Sequence, residues 1–168
     1  MLGGARSGKS AFAEGLALEL GGERVLYVAT ALTHPSDPEL LRRIEEHRER
    51  RKPNWGLLEL TGGRLVPVLE AADGWGAVLF DSLTLWVSAR MLRDEEGETL
   101  EEFERFIERA GALSEPLVLV SDEVGLGVVP ETAEARRFRD LLGLVNQRAA
   151  AAAEEVHLCV AGTAHRIK

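Results

Sequence analysis

The chain has 168 residues, 45% of them hydrophobic and 29% charged, which suits one domain with a buried core and excludes a disordered chain. No window approaches the ~18 consecutive apolar residues of a membrane span. A formal net charge of −8 argues against nucleic acid as a partner, because such binding rests on Lys and Arg neutralising phosphates.

The predicted elements alternate between short apolar runs and helical patterns. Only Met1 and Leu2 precede Gly3, too few for a full first strand, so the expectation is a strand clipped upstream rather than an unusually short one. Ser10–Leu20 has helical periodicity, with Phe12, Leu16 and Leu20 expected inward and Gly21-Gly22 as the stop. Arg24–Thr30 predicts a strand buried on both faces. After a loop with Pro35 and Pro38, Ser36 and Glu39 resemble a capping box opening a helix to about Lys52. Gly76–Asp81 predicts a strand ending in a carboxylate, and Thr84–Leu92 a helix.

Thr99–Leu113 predicts another helix, with Thr99 and Glu102 as a second capping box. Leu117–Ser121 predicts a strand running into Asp122-Glu123 and the loop Gly125-Leu126-Gly127. A long helix is expected from about Glu131 to Ala153, with Phe138, Leu141, Leu142 and Val145 on its buried face, then a final strand at Val156–Val160. Strands separated by helices imply parallel crossovers. The expected fold is α/β, P-loop NTPase-like (RecA-like), a mostly parallel sheet with helices on both faces in one nucleotide-binding catalytic domain over 1–168.

With a single cysteine, Cys159, an intramolecular disulfide and a cysteine-built zinc site are excluded. Its apolar surroundings in sequence predict a buried thiol without a chemical role. The start of the chain lacks the basic stretch and apolar region of a secretory signal, so a cytoplasmic location is expected.

Gly3-Gly4-Ala5-Arg6-Ser7-Gly8-Lys9-Ser10 satisfies G-x-x-x-x-G-K-[ST]. Glycines let the backbone curl so that successive N–H groups face one concavity, and the following helix start adds partial positive charge. Lys9 then reaches the β- and γ-phosphates, while the Ser10 hydroxyl takes a position on Mg²⁺. A second metal ligand is expected as an acid ending a neighbouring strand. Asp81 is preferred, although it competes as a helix N-cap, and Glu123 of the Asp122-Glu123 pair is held second.

Charge is uneven along the chain. Glu39–Lys52 carries six cations (Arg42, Arg43, Arg48, Arg50, Arg51, Lys52) against four anions (Glu39, Glu45, Glu46, Glu49), a local +2 that leaves −10 for the rest. Such a contrast suits a small anionic ligand. On a helix, Ile44, His47, Arg48 and Arg51 share one face. Flanking guanidiniums favour the neutral, nucleophilic imidazole and can clamp phosphate oxygens, which suits attack on a nucleotide phosphorus. A solvated surface histidine in a charge run is the competing explanation. His34 and His165 are expected exposed, in a loop and a tail, and His157 satisfied in a strand.

These strings, with Leu26-Tyr27-Val28-Ala29-Thr30, Arg43-Ile44-Glu45-Glu46-His47-Arg48, Asp122-Glu123-Val124-Gly125-Leu126-Gly127-Val128-Val129-Pro130-Glu131, and Phe138-Arg139-Asp140 through Asn146-Gln147-Arg148, resemble the bifunctional adenosylcobinamide kinase / adenosylcobinamide-phosphate guanylyltransferase family. The resemblance implies phosphorylation of the aminopropanol hydroxyl of adenosylcobinamide by a nucleoside triphosphate. It then implies guanylylation of an enzyme histidine by GTP, loss of pyrophosphate, and transfer of GMP to adenosylcobinamide phosphate. His47 would be that histidine. Nucleotide contacts would fall on the phosphate loop (Gly3 to Ser10), Ala29-Thr30-Ala31, Arg48, Glu49, Arg50, Arg51, Glu59 and Asp81. Mg²⁺ on Ser10 and Asp81, GTP and ATP as substrates, and a homotrimer are likewise implied.

The chain departs from the family pattern at Arg51-Lys52-Pro53, where the proline is displaced by one. It also departs at Ser82, where cysteine is common, at Ala89, where asparagine is common, and over Gly162–Lys168. Two further functions stand against this resemblance. One is a plain P-loop small-molecule kinase without a covalent GMP intermediate; the other is a nucleotide-dependent regulatory protein that uses hydrolysis as a switch.

Overall fold

A computed structural model describes residues 1–31, 42, 45, 52–60, 63–93 and 95–168. In chain order the elements are β1 (Leu2–Gly3), α1 (Lys9–Gly21), β2 (Val25–Ala29), β3 (Gly56–Glu59), α2 (Val66–Ala71) and β4 (Ala77–Asp81). They continue as α3 (Leu83–Met91), α4 (Glu96–Ala110), β5 (Leu117–Asp122), α5 (Ala133–Ala152), β6 (His157–Val160) and β7 (Thr163–Arg166). The seven strands form one sheet in the order β3-β2-β4-β5-β1-β6-β7. Every neighbouring pair is parallel except β6 and β7. One strand, β5, separates β1 from β4, the arrangement that the RecA-like expectation requires.

Alternation along the strands builds a core on each face. Leu26, Val28, Val78 and Phe80 face one way, against Val68 of α2, Trp86 and Val87 of α3, Phe103 and Phe106 of α4, and Leu142 and Val145 of α5. Val25, Tyr27, Leu79, Val118 and Val120 face the other way, against Ala13 and Ala17 of α1. Strands buried on both sides need no polar alternation, which is why RVLYVAT and GAVLFD read as continuous apolar runs.

The inward face of α1 differs from the expected one. Phe12 and Leu20 are exposed, and Ala13 and Ala17 are the buried residues. The next position on that stripe, Gly21, lies so close to β4 that a Cβ there would meet the Ala77 backbone nitrogen at 2.5 Å. Small residues win this face because they let the helix approach the sheet.

The start of α4 also differs from its capping-box prediction. Thr99 lies within the helix, with its hydroxyl donating to the Glu95 carbonyl (2.9 Å) and accepting from Arg90 Nε (3.3 Å). Glu102 instead accepts the backbone N–H of Leu65 at 2.9 Å, ahead of α2. Both side chains are buried and committed to tertiary contacts. The capping box proposed at Ser36 and Glu39 lies outside the described residues; Arg42 and Glu45 are helical.

The chain does not finish on β6. Ala161 (φ 50°) and Gly162 (φ 81°) make a two-residue turn with both φ positive, and β7 returns antiparallel to β6. His165 is exposed as expected, but on this strand rather than in a tail. Lys168 Nζ donates to the carbonyls of Ala150, Ala151 and Ala153, giving the uncompensated end of α5 a cation. His157 bonds Glu155 Oε2 at 3.0 Å and its ring meets that of Phe12, a satisfied strand residue.

Cys159 is 2% exposed on β6. Burial pushes its thiol above the ordinary range despite the nearby ammonium groups of the Met1 N-terminus and Lys9. The thiolate is the reactive species, so alkylation by iodoacetamide at neutral pH is expected to run more than about tenfold slower on folded protein than on urea-unfolded protein. Equal rates, followed by mass spectrometry, would show that the thiol is not shielded.

Candidate nucleotide site

In a parallel sheet the carboxyl ends of the strands share one edge, where open α/β folds bind ligands. Register brings the predicted site residues to that edge: Ala29 pairs with both Glu59 and Asp81, and Gly3 pairs with Asp122. The acid-bearing strand ends and the phosphate loop are thus one continuous row, although they come from distant parts of the sequence.

The loop from Gly3 to Lys9 is shaped by backbone requirements. A Cβ at Gly3 would meet Ser7 Oγ at 2.5 Å and the Cys159 carbonyl oxygen at 2.6 Å. Ser7 N–H donates to the Gly4 carbonyl (3.3 Å), and Ser7's own carbonyl accepts from Gly162 N–H (2.9 Å), so the β6–β7 turn buttresses the loop. Arg6 has φ 56° and Gly8 φ 90°. Gly8 is the N-cap of α1 and supplies no side-chain hydrogen bond, and the first helical turn contains no acid. The opening N–H groups of α1 therefore lack a side-chain cap and carry the positive end of the helix dipole, which favours an anion.

Gly8 also faces Gly162, where an added Cβ would lie 3.1 Å from Cα. Gly8→Ala is expected to cost about 1–2 kcal/mol through its left-handed φ and to weaken triphosphate binding by tilting the loop. A thermal melt beside a nucleotide titration checks this; unchanged values in both would mean that the loop adapts freely.

Lys9 Nζ forms a salt bridge with Asp122 Oδ1 at 2.5 Å and donates to the Gly4 carbonyl at 3.3 Å. Asp122 is fixed through its backbone: its N–H donates to Thr84 Oγ1 (2.7 Å), its carbonyl accepts from Asn146 Nδ2 (3.1 Å), and the next N–H, that of Glu123, donates to the Gly3 carbonyl (3.1 Å). Glu123 turns along its own loop, its Oε1 accepting from Gly125 N–H at 2.7 Å.

Asp81 does not cap α3. Ser82 is the N-cap, its hydroxyl accepting from Leu85 N–H at 3.3 Å. Asp81 Oδ2 instead accepts from Tyr27 OH at 2.9 Å, and the Tyr27 ring stacks on Trp55. The Thr30 hydroxyl is buried, donating to the Ser82 carbonyl and accepting its N–H, both at 2.8 Å, across a cis Asp81–Ser82 peptide bond. Thr30 thus holds the strand ends together. Glu59 is exposed at the end of β3, and Ala29 and Ala31 are half-buried beside it. His47, Arg48, Glu49, Arg50 and Arg51 lie outside the described residues.

Three features were missed by sequence reasoning: Tyr27 against Asp81, the Gly162 turn against the phosphate loop, and Asp122 as the partner of Lys9. Each is a contact between remote segments that no local spacing reports.

Together the sheet order, the uncapped helix start behind a glycine loop and the flanking acids define a P-loop NTPase-like α/β protein. Residues 1–167 match the family model described as cobinamide kinase / cobinamide phosphate guanyltransferase. The chain is 42% identical over 162 residues to the bifunctional adenosylcobalamin biosynthesis protein CobP of Pseudomonas aeruginosa, covering 96% of this chain and 92% of that one. It is 38% identical over 181 aligned positions to the bifunctional adenosylcobalamin biosynthesis protein CobU of Salmonella typhimurium, covering 99% and 97%, and equally to CobU of Escherichia coli. The chain belongs to the cobinamide kinase / cobinamide phosphate guanyltransferase family.

Proposed function

We propose that this enzyme phosphorylates adenosylcobinamide with a nucleoside triphosphate. It then transfers GMP from GTP, through a guanylyl-histidine at His47, to adenosylcobinamide phosphate, giving adenosylcobinamide-GDP and pyrophosphate. The observation that carries this is the uncapped start of α1 bearing Lys9 at the strand-end row, in a chain of this family. Lys9 and the loop N–H groups from Gly3 to Ser10 hold the β- and γ-phosphates in both reactions. His47 attacks the α-phosphorus as the bond to the pyrophosphate oxygen breaks; Arg48 and Arg51 take the charge on the α-phosphate oxygens. The adduct splits one hard displacement into two in-line steps.

Ser10 and Asp81 form an all-oxygen donor set that fits Mg²⁺, which is commonly held by one or two carboxylates plus substrate phosphates. When bound, the ion would neutralise charge on the phosphates. A homotrimer and a cytoplasmic location complete the proposal; no helix among the described residues is long and apolar enough to cross a membrane.

The test is covalent trapping. Protein incubated with α-phosphate-labelled GTP and Mg²⁺, then denatured, should retain label that is labile to acid and stable to alkali. No retained label, with cobinamide still phosphorylated from γ-labelled ATP, would leave a P-loop kinase without the covalent step.

A further inference from the structure

We propose that Asp122 is the catalytic base of the kinase step, taking the proton of the attacking hydroxyl. The proposal rests on the kinase half of the function above. Asp122 lies opposite Gly3 in the sheet, so its side chain stands at the mouth of the phosphate loop. It meets the ammonium assigned to the γ-phosphate, with Lys9 Nζ 2.5 Å from its Oδ1. An oxygen on Asp122 and a phosphate oxygen sharing one ammonium stand about 4–5 Å apart at ordinary hydrogen-bond lengths, which leaves room for a single hydroxyl oxygen. Two hydrogen bonds hold its backbone from separate elements, its N–H donating to Thr84 Oγ1 and its carbonyl accepting from Asn146 Nδ2, while the next N–H, that of Glu123, ties the strand end to the Gly3 carbonyl; this is the preorganisation that proton transfer in a transition state requires.

The other acids of the row are less suited to that task. Asp81 sits one strand further away, with an oxygen held by Tyr27 OH. Glu123 directs an oxygen to the N–H of Gly125. An anion beside a triphosphate site also opposes nucleotide binding, so Asp122 is poorly explained as a nucleotide contact. In the step itself, the acceptor oxygen forms its bond to the γ-phosphorus while the bond from that phosphorus to the β,γ-bridging oxygen breaks. The electron pair leaves with the nucleoside diphosphate. The hydroxyl proton passes to the Asp122 carboxylate and then to water.

Guanylylation of a neutral imidazole needs no such base, which separates the two reactions experimentally. Asp122→Asn keeps the shape and the backbone bonds but accepts no proton. The kinase turnover with cobinamide and ATP should fall about 100- to 10,000-fold. Covalent labelling by GTP should fall at least about 30-fold less than kinase turnover, since both reactions lose the Asp122–Lys9 ion pair but only the first loses a proton acceptor. Parallel losses in both reactions would show that Asp122 merely orients Lys9, and unchanged kinase turnover would show that it has no role; either overturns the proposal. Asp122→Ser is scored in the same way should the asparagine variant lack a cooperative thermal transition. Wild-type protein that leaves cobinamide unphosphorylated would instead overturn the kinase function itself.

Discussion

Lys9→Met is expected to lower both group transfers by about 100- to 1000-fold, because a fixed cation aimed at developing phosphate charge stabilises the transition state more than the ground state. The ammonium stands at the first residue of α1, with its side chain only 12% exposed, held between the Gly4 carbonyl and Asp122. Methionine keeps the unbranched stem and its packing while deleting the charge. Arginine would not substitute, since its planar fork is larger and differently directed than a point ammonium. The variant leaves Asp122 without its cation, but that carboxylate is 25% exposed, so solvent absorbs part of the cost and the fold should persist. Steady-state kinase assays and single-turnover labelling with GTP check the outcome, with a thermal melt as the folding control. A loss confined to one reaction would mean that the two transfers do not share the phosphate loop.

What could be seen in the sequence depended on how local the determinant was. The phosphate loop was legible because its glycines, lysine and serine meet their requirements within eight consecutive residues and feed straight into a helix. The buried strands β2, β4 and β5 were legible because residues covered on both faces leave unbroken apolar runs. β3 and β7 left no such trace. β3 is an edge strand alternating half-buried and exposed residues, and β7 has only Ala164 half-buried, so its pairing is set by the positive-φ turn before it. The face of α1 misled for a related reason. Hydrophobicity points to Phe12 and Leu20, whereas contact with β4 selects residues small enough to let backbones approach.

At the site the same division holds. Asp81 could be placed at a strand end from GAVLFD, but not its release from capping, which depends on Ser82 doing that work instead. Asp122 could be placed after LVLVS, but its pairing with Lys9 exists only because β5 lies directly beside β1. Strand order, set by crossovers between remote segments, decides which acid meets the lysine.

His47→Ala is expected to abolish covalent labelling by GTP and with it transfer of GMP to adenosylcobinamide phosphate, while cobinamide phosphorylation from ATP stays within about threefold. The asymmetry follows from the proposed chemistry, in which the imidazole attacks the α-phosphorus of GTP, whereas the kinase step uses the γ-phosphorus and an external hydroxyl. Removing the nucleophile leaves the loop, Lys9 and Asp122 intact, so nucleotide should still bind. Arg48→Ala and Arg51→Ala are expected to slow labelling without abolishing it, because the role proposed for them is to stabilise charge, with no bond to phosphorus. Acid-labile counts retained on the alanine variant would place the adduct on another residue. A kinase rate that falls along with the label would make His47 part of a shared binding surface, in which case the histidine would be a phosphate clamp and the covalent step would need a different nucleophile.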